Sequence, residues 1–569
     1  MNRRVFRPRM LATGCAVLGL AASLAGCGQD GGATQTGSGG SSASSGGSIG
    51  AGGGTVGAGG RGGSSATGAG GASSTGGTTA TGGASASGGR GGTTGGGGAR
   101  ASGGTMGAGG TTGSGGMATT GGTTGSGGAP SGACGAGDPN LPAEPTLPTS
   151  VCATLAATRT VAANGLPSES NPDTSAIQTA LTSCGAGKAV KLVIGGGNDA
   201  FLTGPIRIPS GVTLWVDKGV TLFGTRDPSV YGSSSSLIAV TGTGAGIVGD
   251  GVIDGQGGEP NVGSSQSWWD QNAGSSGNSP ALIQVAGASQ FTLYRIRLQN
   301  SPKFHVKLSA NGFVVWGVAI KTPSRSTNSA GTALTYSNAH NTDGIDPGEA
   351  ASNGTIACSS ISVGDDQIAI KGSSATGVTK LTIAHNHFGA GHGMSIGSEF
   401  TGGVSDVKVY DLSIDNMGTG TSGGSSNGIR IKSDSSRGGL VNNISYSDVC
   451  MRNVSNVILL TPFYSTATGS DIPQFTNITI QNVHAVAGGS NAPKVTLDGY
   501  DASHLNSVTL DNVIVDGVSS SNVSASYTKV TLGPGNVNFM PSGTGVTVTN
   551  GISGTSTPNP CTGKWVTSF

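Results

Sequence analysis

From residue 290 onward, apolar side chains recur in one pattern, in which the first, third and sixth positions are apolar. Clear copies begin at Val315, Ile356, Val407, Ile444, Ile478 and Val508, and weaker copies begin at Leu293 and Leu381. Successive copies, counted from Leu293, are 22, 41, 25, 26, 37, 34 and 30 residues apart. Because apolar positions that alternate with a period of two are typical of strands, each copy predicts a β-strand.

The spacing between these strands predicts how they assemble. A base interval of 22–26 residues, lengthened in some copies by insertions, indicates a solenoid with one copy in each coil. Short strands, corners rich in Gly and Asn, and few helical stretches favour an all-β fold, the right-handed parallel β-helix. A β-sandwich is the competing architecture, but it requires hairpin turns at shorter and more regular spacing.

A second strand of the same coils carries reactive side chains. Its aligned apolar positions in four successive coils are Ile345, Ile368, Met394 and Ile429. These positions are 23, 26 and 35 residues apart, and the residues two places before them are Asp343, Asp366, His392 and Asn427. Since stacked strands lie about 4.8 Å apart, Asp343, Asp366 and His392 are predicted to form a column on one sheet.

The direction of these side chains follows from alternation along each strand. Arg430 and Lys432 lie one and three places after the aligned Ile429, so they are predicted to point outward beside the column. Strict alternation would turn Asp343 and Asp366 inward. We therefore expect the turn before each strand to reset their direction.

Composition divides the chain into a linker and a domain. Gly accounts for 108 of the 569 residues, and 46 of these lie among the 105 residues 28–132, which contain four charged side chains. Such a tract cannot bury enough apolar surface to offset its ordering entropy, so 28–132 is predicted to be a disordered Gly/Ser/Thr-rich linker. Residues 133–569 keep enough apolar side chains for one large core and are predicted to form the β-helix domain. A net charge of +1 excludes a basic nucleic-acid binder.

The N-terminal residues predict an export signal. Four Arg side chains between Arg3 and Arg9 precede a short apolar run, which ends in Leu24-Ala25-Gly26-Cys27. This ending resembles a bacterial lipoprotein cleavage site, so residues 1–27 are predicted to be a lipoprotein-type signal and Cys27 the lipid-carrying residue. An ordinary signal peptide cleaved nearby is the alternative. The protein is therefore expected to be exported, and either anchored by lipid to the bacterial cell envelope (outer membrane or cell surface) or secreted.

Six further cysteines permit disulfides in an exported chain. Cys152 and Cys184 flank a predicted helix at the start of the domain and are the preferred pair. Cys358 and Cys450 are predicted to lie three coils, or roughly 14 Å, apart, which is too far for a bond. Cys358 is therefore expected to be a buried free thiol, and Cys134 and Cys561 are left unassigned.

The predicted column and its neighbours contain the acidic, basic and cationic side chains that glycoside hydrolysis requires. With Asp365, which directly precedes Asp366, the face carries three carboxylates, an imidazole and two cations, which are hard to explain as a solvated surface in a chain with 10% charged residues. Clustered acids raise at least one pKa by mutual repulsion, which produces a general acid beside ionised bases. Arg430 and Lys432 can bind an acidic group, so the residues indicate an acidic sugar polymer as the substrate.

Four motifs in order carry a resemblance to the polygalacturonases, glycoside hydrolase family 28. They are Asn341-Thr342-Asp343, Gly364-Asp365-Asp366, Gly391-His392-Gly393 and Arg430-Ile431-Lys432. The resemblance extends over roughly 148–513 and is greatest to bacterial endo-polygalacturonases. It implies a pectin-lyase-like right-handed β-helix that hydrolyses α-1,4-galacturonosyl bonds of pectate with inversion. Gly364 is a departure, because fungal relatives often have Gln at this place.

The resemblance also implies roles for individual residues. Asp365 resembles the proton donor, and Asp343 and Asp366 resemble the pair that activates water. His392 resembles the residue that supports the acid, while Arg430 and Lys432 resemble the groups that bind the galacturonate carboxylate.

Two further residues match the family less closely. Tyr464 is similar to a subsite tyrosine, but it could be a surface aromatic. Asn341 is expected to shape the site, but it could belong to an internal Asn ladder.

Other functions remain open at the level of sequence. An exo-polygalacturonase or a rhamnogalacturonan hydrolase would keep the same motifs. More distant alternatives are a Ca²⁺-dependent pectate lyase and a non-catalytic β-helix that binds polysaccharide. No His, Cys or carboxylate spacing indicates a metal site, so no cofactor is expected. The expected partner is pectate, with no nucleic acid, membrane contact only through the lipid anchor, and a monomeric state.

Overall fold

The computed structural model describes residues 134–162, 165–273, 277–416, 427–486, 492–550 and 557–565. The predictions for 1–27 and 28–132, including lipidation of Cys27, lie outside these ranges. The helices are α1 (Thr174–Ser183), α2 (Pro228–Tyr231) and α3 (Trp268–Asn272), and a 3₁₀ turn spans Ser520–Asn522. No helix in the described ranges is long and apolar enough to cross a membrane.

Strands make up most of the regular structure in these ranges. The first half contains β1 (Val151–Ala156), β2 (Ala189–Val193), β3 (Ala200–Thr203), β4 (Ile206–Ile208), β5 (Thr213–Val216), β6 (Thr221–Gly224), β7 (Ser236–Val240), β8 (Gly246–Val248), β9 (Val252–Asp254), β10 (Ala281–Tyr294), β11 (Arg297–Gln299), β12 (Val306–Trp316), β13 (Ala319–Lys321) and β14 (Ile345–Pro347). The second half contains β15 (Ser352–Ala357), β16 (Ser360–Ser362), β17 (Ile368–Ile370), β18 (Val378–Phe388), β19 (Met394–Ile396), β20 (Val404–Asp415), β21 (Asn427–Lys432), β22 (Leu440–Arg452), β23 (Asn456–Thr461), β24 (Gln474–Val486), β25 (Lys494–Asp498), β26 (Asn506–Val515), β27 (Val523–Ser526), β28 (Thr528–Leu532) and β29 (Thr547–Thr549).

All the paired strands run parallel and stack coil upon coil into three sheets, which confirms the predicted right-handed parallel β-helix. The first sheet runs through β1, β2, β5, β8, β10, β12, β15, β18, β20, β22, β24, β26, β28 and β29. The second runs through β3, β6, β9, β11, β13 and β16 and then joins the end of β18. The third runs through β4, β7, the starts of β10 and β12, and then β14, β17, β19, β21, β23, β25 and β27.

The core is the column of apolar side chains that points into the coils. Val407, Ile444, Ile478 and Val508 lie in register on successive coils and are buried, as the repeat predicted. Each such layer removes apolar surface from water, which is worth about 25 cal/mol per Å². The stacked coils therefore share one continuous core rather than separate ones.

The predicted free thiol at Cys358 is wrong, because the structure pairs Cys358 with Cys134. Ile356 pairs with Ile383 rather than with Leu381, so the predicted register between the early and the later copies of the repeat is wrong by two residues. Cys358 consequently occupies a corner, at φ +57°, and not an inward strand position.

The segment that carries Cys134 packs against the outside of the first sheet. Trp316 and Ala357 alternate with the inward apolar column and form a separate outer cluster with Cys358. Leu141 and Leu147 of the N-terminal segment lie on this cluster. Because this segment lacks the repeat, the repeat pattern does not indicate which coil Cys134 meets.

Two other disulfides are formed. Cys152 and Cys184 are bonded across 32 residues, and Cys450 and Cys561 are bonded across 111 residues. Near the Cys358 corner, the His385 imidazole contacts Asp138 Oδ2 at 2.9 Å and Asp411 Oδ2 at 2.6 Å. Both terminal segments are thus held on the body of the β-helix.

We expect loss of the Cys134–Cys358 bond to lower the thermal midpoint more than loss of Cys152–Cys184. The bonds close loops of 224 and 32 residues, and the chain-entropy model gives the longer loop about 1.7 kcal/mol more stabilisation. Paired Cys→Ser variants, compared by calorimetry, check this order. Equal or reversed losses would contradict it.

Candidate active site

The predicted column lies on the third sheet, where four strands align as the sequence indicated. Ile345 pairs with Ile368, Ile368 with Met394, and Met394 with Ile429. The residues two places earlier precede β14, β17 and β19 and lie in the turns that lead into those strands. These turns set the direction of the acidic side chains.

The turns are built from close backbone contacts. Thr342 Oγ1 donates to Ala339 O at 2.7 Å and accepts from Gly364 N at 3.0 Å, which ties two coils together beside the acids. A Cβ on Gly364 would lie 2.6 Å from Tyr336 O, so a larger residue would displace this turn. The Gly364 departure noted in the sequence therefore has a local steric reason.

Asp365 and His392 form an acid–imidazole pair. His392 Nδ1 lies 3.0 Å from Asp365 Oδ1, and the His392 amide donates to Asp365 O at 3.0 Å. Burial raises the pKa of Asp365, but His392, Lys432 and Lys371 together outweigh burial and hold that pKa well below its usual range. Burial likewise opposes the charged form of His392, yet Asp365 raises the imidazole pKa above its ordinary value. In the substrate-free site the shared proton therefore rests on His392.

Asp366 lies between two cations. Arg430 Nη1 approaches Asp366 Oδ1 to 3.3 Å, and Lys432 Nζ approaches Oδ2 to 3.0 Å. Ser395 Oγ donates to Oδ1 at 2.7 Å. All four side chains are buried, and a buried carboxylate needs such partners to stay ionised.

Asp343 shares a cation with a second carboxylate. Lys371 Nζ lies 3.3 Å from Asp343 Oδ2 and 3.2 Å from Asp346 Oδ2. Burial and the nearby Asp346 raise the pKa of Asp343 well above its ordinary value, and Lys371 opposes that rise. Burial raises the pKa of Asp346 to about 6, again against the effect of Lys371.

Sequence reasoning assigned no role to Lys371, although a signal was present. Lys371 lies three places after the aligned Ile368, as Lys432 lies three places after Ile429. The alternation that predicts an outward side chain at Lys432 therefore predicts one at Lys371 as well.

The two residues matched less closely also lie at this face. The Tyr464 ring packs against cations, with Lys432 Nζ 4.7 Å and Arg430 Cζ 5.5 Å from its centroid. Asn341 is half-buried in the turn before Asp343 and has φ +55°, a conformation that Asn tolerates. The structure thus brings Asn341 and Tyr464 next to the predicted column.

One donor grouping among the described residues could hold a metal ion. Ligand atoms of Asp365, Asp366 and His392 lie within 4.8 Å of one another. Arg430 and Lys432 already contact the Asp366 carboxylate, and the raised pKa of His392 favours a proton on the imidazole. Since metal ligands must be deprotonated, this site suits a proton and an anionic ligand better than a divalent cation.

A parallel β-helix with paired carboxylates, an imidazole and anion-binding cations on one sheet is the arrangement of a glycoside hydrolase. The model of the family described as "Glycosyl hydrolases family 28" matches residues 184–534. The chain belongs to this family.

Relatives and solved structures agree with this assignment. The chain is 44% identical over 431 residues to a polygalacturonase of Ralstonia nicotianae, covering 66% of this chain and 80% of the relative. It is 42% identical over 370 residues to an endo-polygalacturonase of Pectobacterium carotovorum subsp. carotovorum, covering 61% and 85%. The structure of a polygalacturonase from Erwinia carotovora ssp. carotovora superposes with a TM-score of 0.57 at 37% identity, covering 70% of this chain and 99% of that one.

Proposed function

We propose that this hydrolase cleaves α-1,4-galacturonosyl linkages of polygalacturonate (pectate), by inversion and at internal bonds. The observation that carries the proposal is the pair of buried cations, Arg430 and Lys432, beside the carboxylates that would perform the reaction. Two buried cations suit a sugar that carries its own carboxylate. The relatives named as polygalacturonases and endo-polygalacturonases support the same substrate and internal cleavage.

In the proposed mechanism, Asp365 gives its proton to the glycosidic oxygen as the bond to the anomeric carbon breaks. Asp343 and Asp366 orient a water on the opposite face of the ring and accept its proton as the water oxygen attacks that carbon. The products are two shorter chains, one with a new reducing end of inverted configuration. Arg430 and Lys432 hold the galacturonate carboxylate, Tyr464 packs beside them, and Asn341 shapes the turn before Asp343.

The proton on His392 becomes available to Asp365 when substrate binds. In the free site, Lys432 and Lys371 add to the effect of His392 in lowering the pKa of Asp365. A substrate carboxylate at Lys432 neutralises that cation and adds a negative charge nearby, so the pKa of Asp365 rises. Substrate binding therefore shifts the shared proton from His392 toward the Asp365 carboxylate, which must donate it.

The test is an assay on polygalacturonate that follows reducing ends and ultraviolet-absorbing unsaturated ends together. We expect reducing ends without unsaturated ends, activity that survives a chelator, and intermediate-length oligomers early in digestion. Unsaturated ends that depend on Ca²⁺ would identify a lyase. Monomers alone at early times would identify exo action.

We expect the variant Lys371→Met to lose activity on the acidic side of the pH profile. Asp343 must be ionised to accept a proton from water, so activity falls as pH falls through its pKa. Lys371 opposes the rise of that pKa, and its removal moves the acidic limb of kcat/KM to higher pH. The exposed Lys408→Met is the matched control, and an unshifted limb would rule out this role.

We also propose the organisation predicted for the N-terminal part of the chain. Residues 1–27 act as a lipoprotein-type signal, Cys27 carries lipid, 28–132 form a linker, and 133–569 form a monomeric enzyme outside the cytoplasm. The names of the bacterial relatives support the enzyme and leave the anchor untested. Mass spectrometry of the mature N-terminus should show acylated Cys27, and an unmodified cleavage product would refute the anchor.

A further inference from the structure

A pair of aromatic side chains, exposed Phe463 and half-buried Tyr500, lies next to the proposed substrate site and has no role in the chemistry described above. Phe463 is 55% exposed, which is unusual for so large an apolar side chain. Its ring stacks on that of Tyr500, with centroids 5.6 Å apart and planes at 24°. His504 packs edge-on against Tyr500, with ring centroids 6.1 Å apart. We call Phe463 and Tyr500 the aromatic platform.

The register of the third sheet places the platform in line with the cations of the site. Lys432 pairs with Thr461 on the next coil, and Leu460 pairs with Leu497 on the coil after that. Phe463 follows Thr461 by two residues, and Tyr500 follows Leu497 by three. The platform therefore lies one to two coils past Lys432, a displacement of about 5–10 Å toward the C-terminal end of the β-helix.

The platform is also continuous with the site through its neighbour in sequence. Tyr464 follows Phe463 and has Lys432 Nζ 4.7 Å from its ring centroid. The Tyr464 amide donates to Ser433 O at 2.8 Å, which fixes this segment to the strand that carries Lys432. A polymer strand held at Lys432 and running along the sheet toward the C-terminal end would pass over Phe463.

The two sides of the site differ in charge. On the N-terminal side, Lys303, Lys307 and Lys371 surround the ring of Phe304, with their Nζ atoms 5.3, 5.8 and 4.7 Å from its centroid. On the C-terminal side, the charged residues nearest to Tyr500 in the sequence are Asp498 and Asp501, and Asp501 lies 2.9 Å from the His504 imidazole. The cation beside Tyr464 on this side, Arg437, is paired with Glu399 and Asp434. An additional carboxylate is attracted to the first side and repelled from the second.

We propose that the aromatic platform is a subsite for an uncharged pyranose, a methyl-esterified galacturonate, one to two coils along the sheet from the residue held by Arg430 and Lys432. The apolar face of a sugar ring packs on exposed aromatic rings, and esterification removes the charge that Asp498 and Asp501 repel. The inference rests on the proposed function, since it extends the same polymer strand. This subsite would make Phe463 a residue that determines specificity, by favouring sparsely esterified pectate.

The experiment compares the wild type and Phe463→Ala on unesterified polygalacturonate and on partly methyl-esterified pectin. We expect Phe463→Ala to lower kcat/KM on the esterified polymer by about 3- to 10-fold, mostly through KM, with little change on polygalacturonate. Phe463→Tyr keeps a stacking ring and should restore the preference. Leu440→Ala, at a side chain that is 49% exposed on the first sheet, is the matched control.

A binding measurement separates this inference from the proposed reaction. Calorimetric titration of esterified and unesterified oligogalacturonates into an Asp365→Asn background measures the platform without turnover. Loss of the preference for the esterified oligomer on adding Phe463→Ala supports the platform even if the wild type cleaves neither polymer. Equal losses on both oligomers, or no loss on either, overturn the platform, whereas absence of cleavage by the wild type overturns the proposed function alone.

Discussion

Asp365→Asn should lower kcat on polygalacturonate about 10²- to 10⁴-fold, the usual contribution of a positioned general acid. The amide has nearly the shape of the carboxylic acid but cannot give a proton to the glycosidic oxygen. It also leaves His392 without the carboxylate that holds its proton, so the acid–imidazole pair is lost as a unit. KM should change little, because the carboxylate of the substrate is bound by Arg430 and Lys432. Initial rates of reducing-end release measure both constants.

The control for this variant is Asp250→Asn, an exposed carboxylate that pairs with Arg295 on the outer surface. It should keep the activity of the wild type. If Asp365→Asn released reducing ends as fast as the wild type, Asp365 would not be the acid. A non-catalytic solenoid that only binds polysaccharide would release none in either variant.

Lys432→Met should lower kcat/KM by about 10²- to 10³-fold, because truncating one partner of a buried charge pair costs several kcal/mol. The variant removes a cation from the substrate carboxylate and from Asp366 at once. It also removes one of the charges that lower the pKa of Asp365 in the free site. Both KM and kcat should therefore change.

Lys408→Met removes the same charge from an exposed position on β20 and should leave kcat/KM within about twofold of the wild type, as surface substitutions usually do. A Lys432→Met enzyme with an unchanged KM would mean that this lysine serves Asp366 alone. A thermal midpoint measured beside the kinetics separates loss of binding from loss of folding.

Much of the site could be predicted from sequence, because in a β-helix residues that are one coil apart in the sequence stack directly on one another. Ile345, Ile368, Met394 and Ile429 pair in register on successive coils. The outward residues of their strands therefore lie on one face. The same geometry explains the error at Cys358, since a shift of two residues moves a side chain from strand to corner.

Two features could not be predicted from the sequence: the contacts made by segments outside the repeat, and which acidic side chain has a raised pKa. Cys134 belongs to a segment without periodicity, so no alignment indicates which coil it meets. Clustering of acids predicts at least one raised pKa; burial, and after it the neighbouring Asp346, raises the pKa of Asp343, whereas the pKa of Asp365 lies below its usual range. The difference depends on the 3.0 Å contact of Asp365 with His392, a distance that spacing in sequence does not give.

The two long-range disulfides also determine how the molecule carries mechanical load. A pull on the chain ahead of Cys134 passes through its sulfur directly to Cys358, and a pull from the far end passes from Cys561 to Cys450. The coils before 358 and after 450 are therefore shielded from tension applied between the ends. The stretch that remains under tension, 358–450, contains Asp365, His392 and Lys432. Any substrate-bound enzyme held by its N-terminal end would thus transmit force through the same coils that hold the polymer.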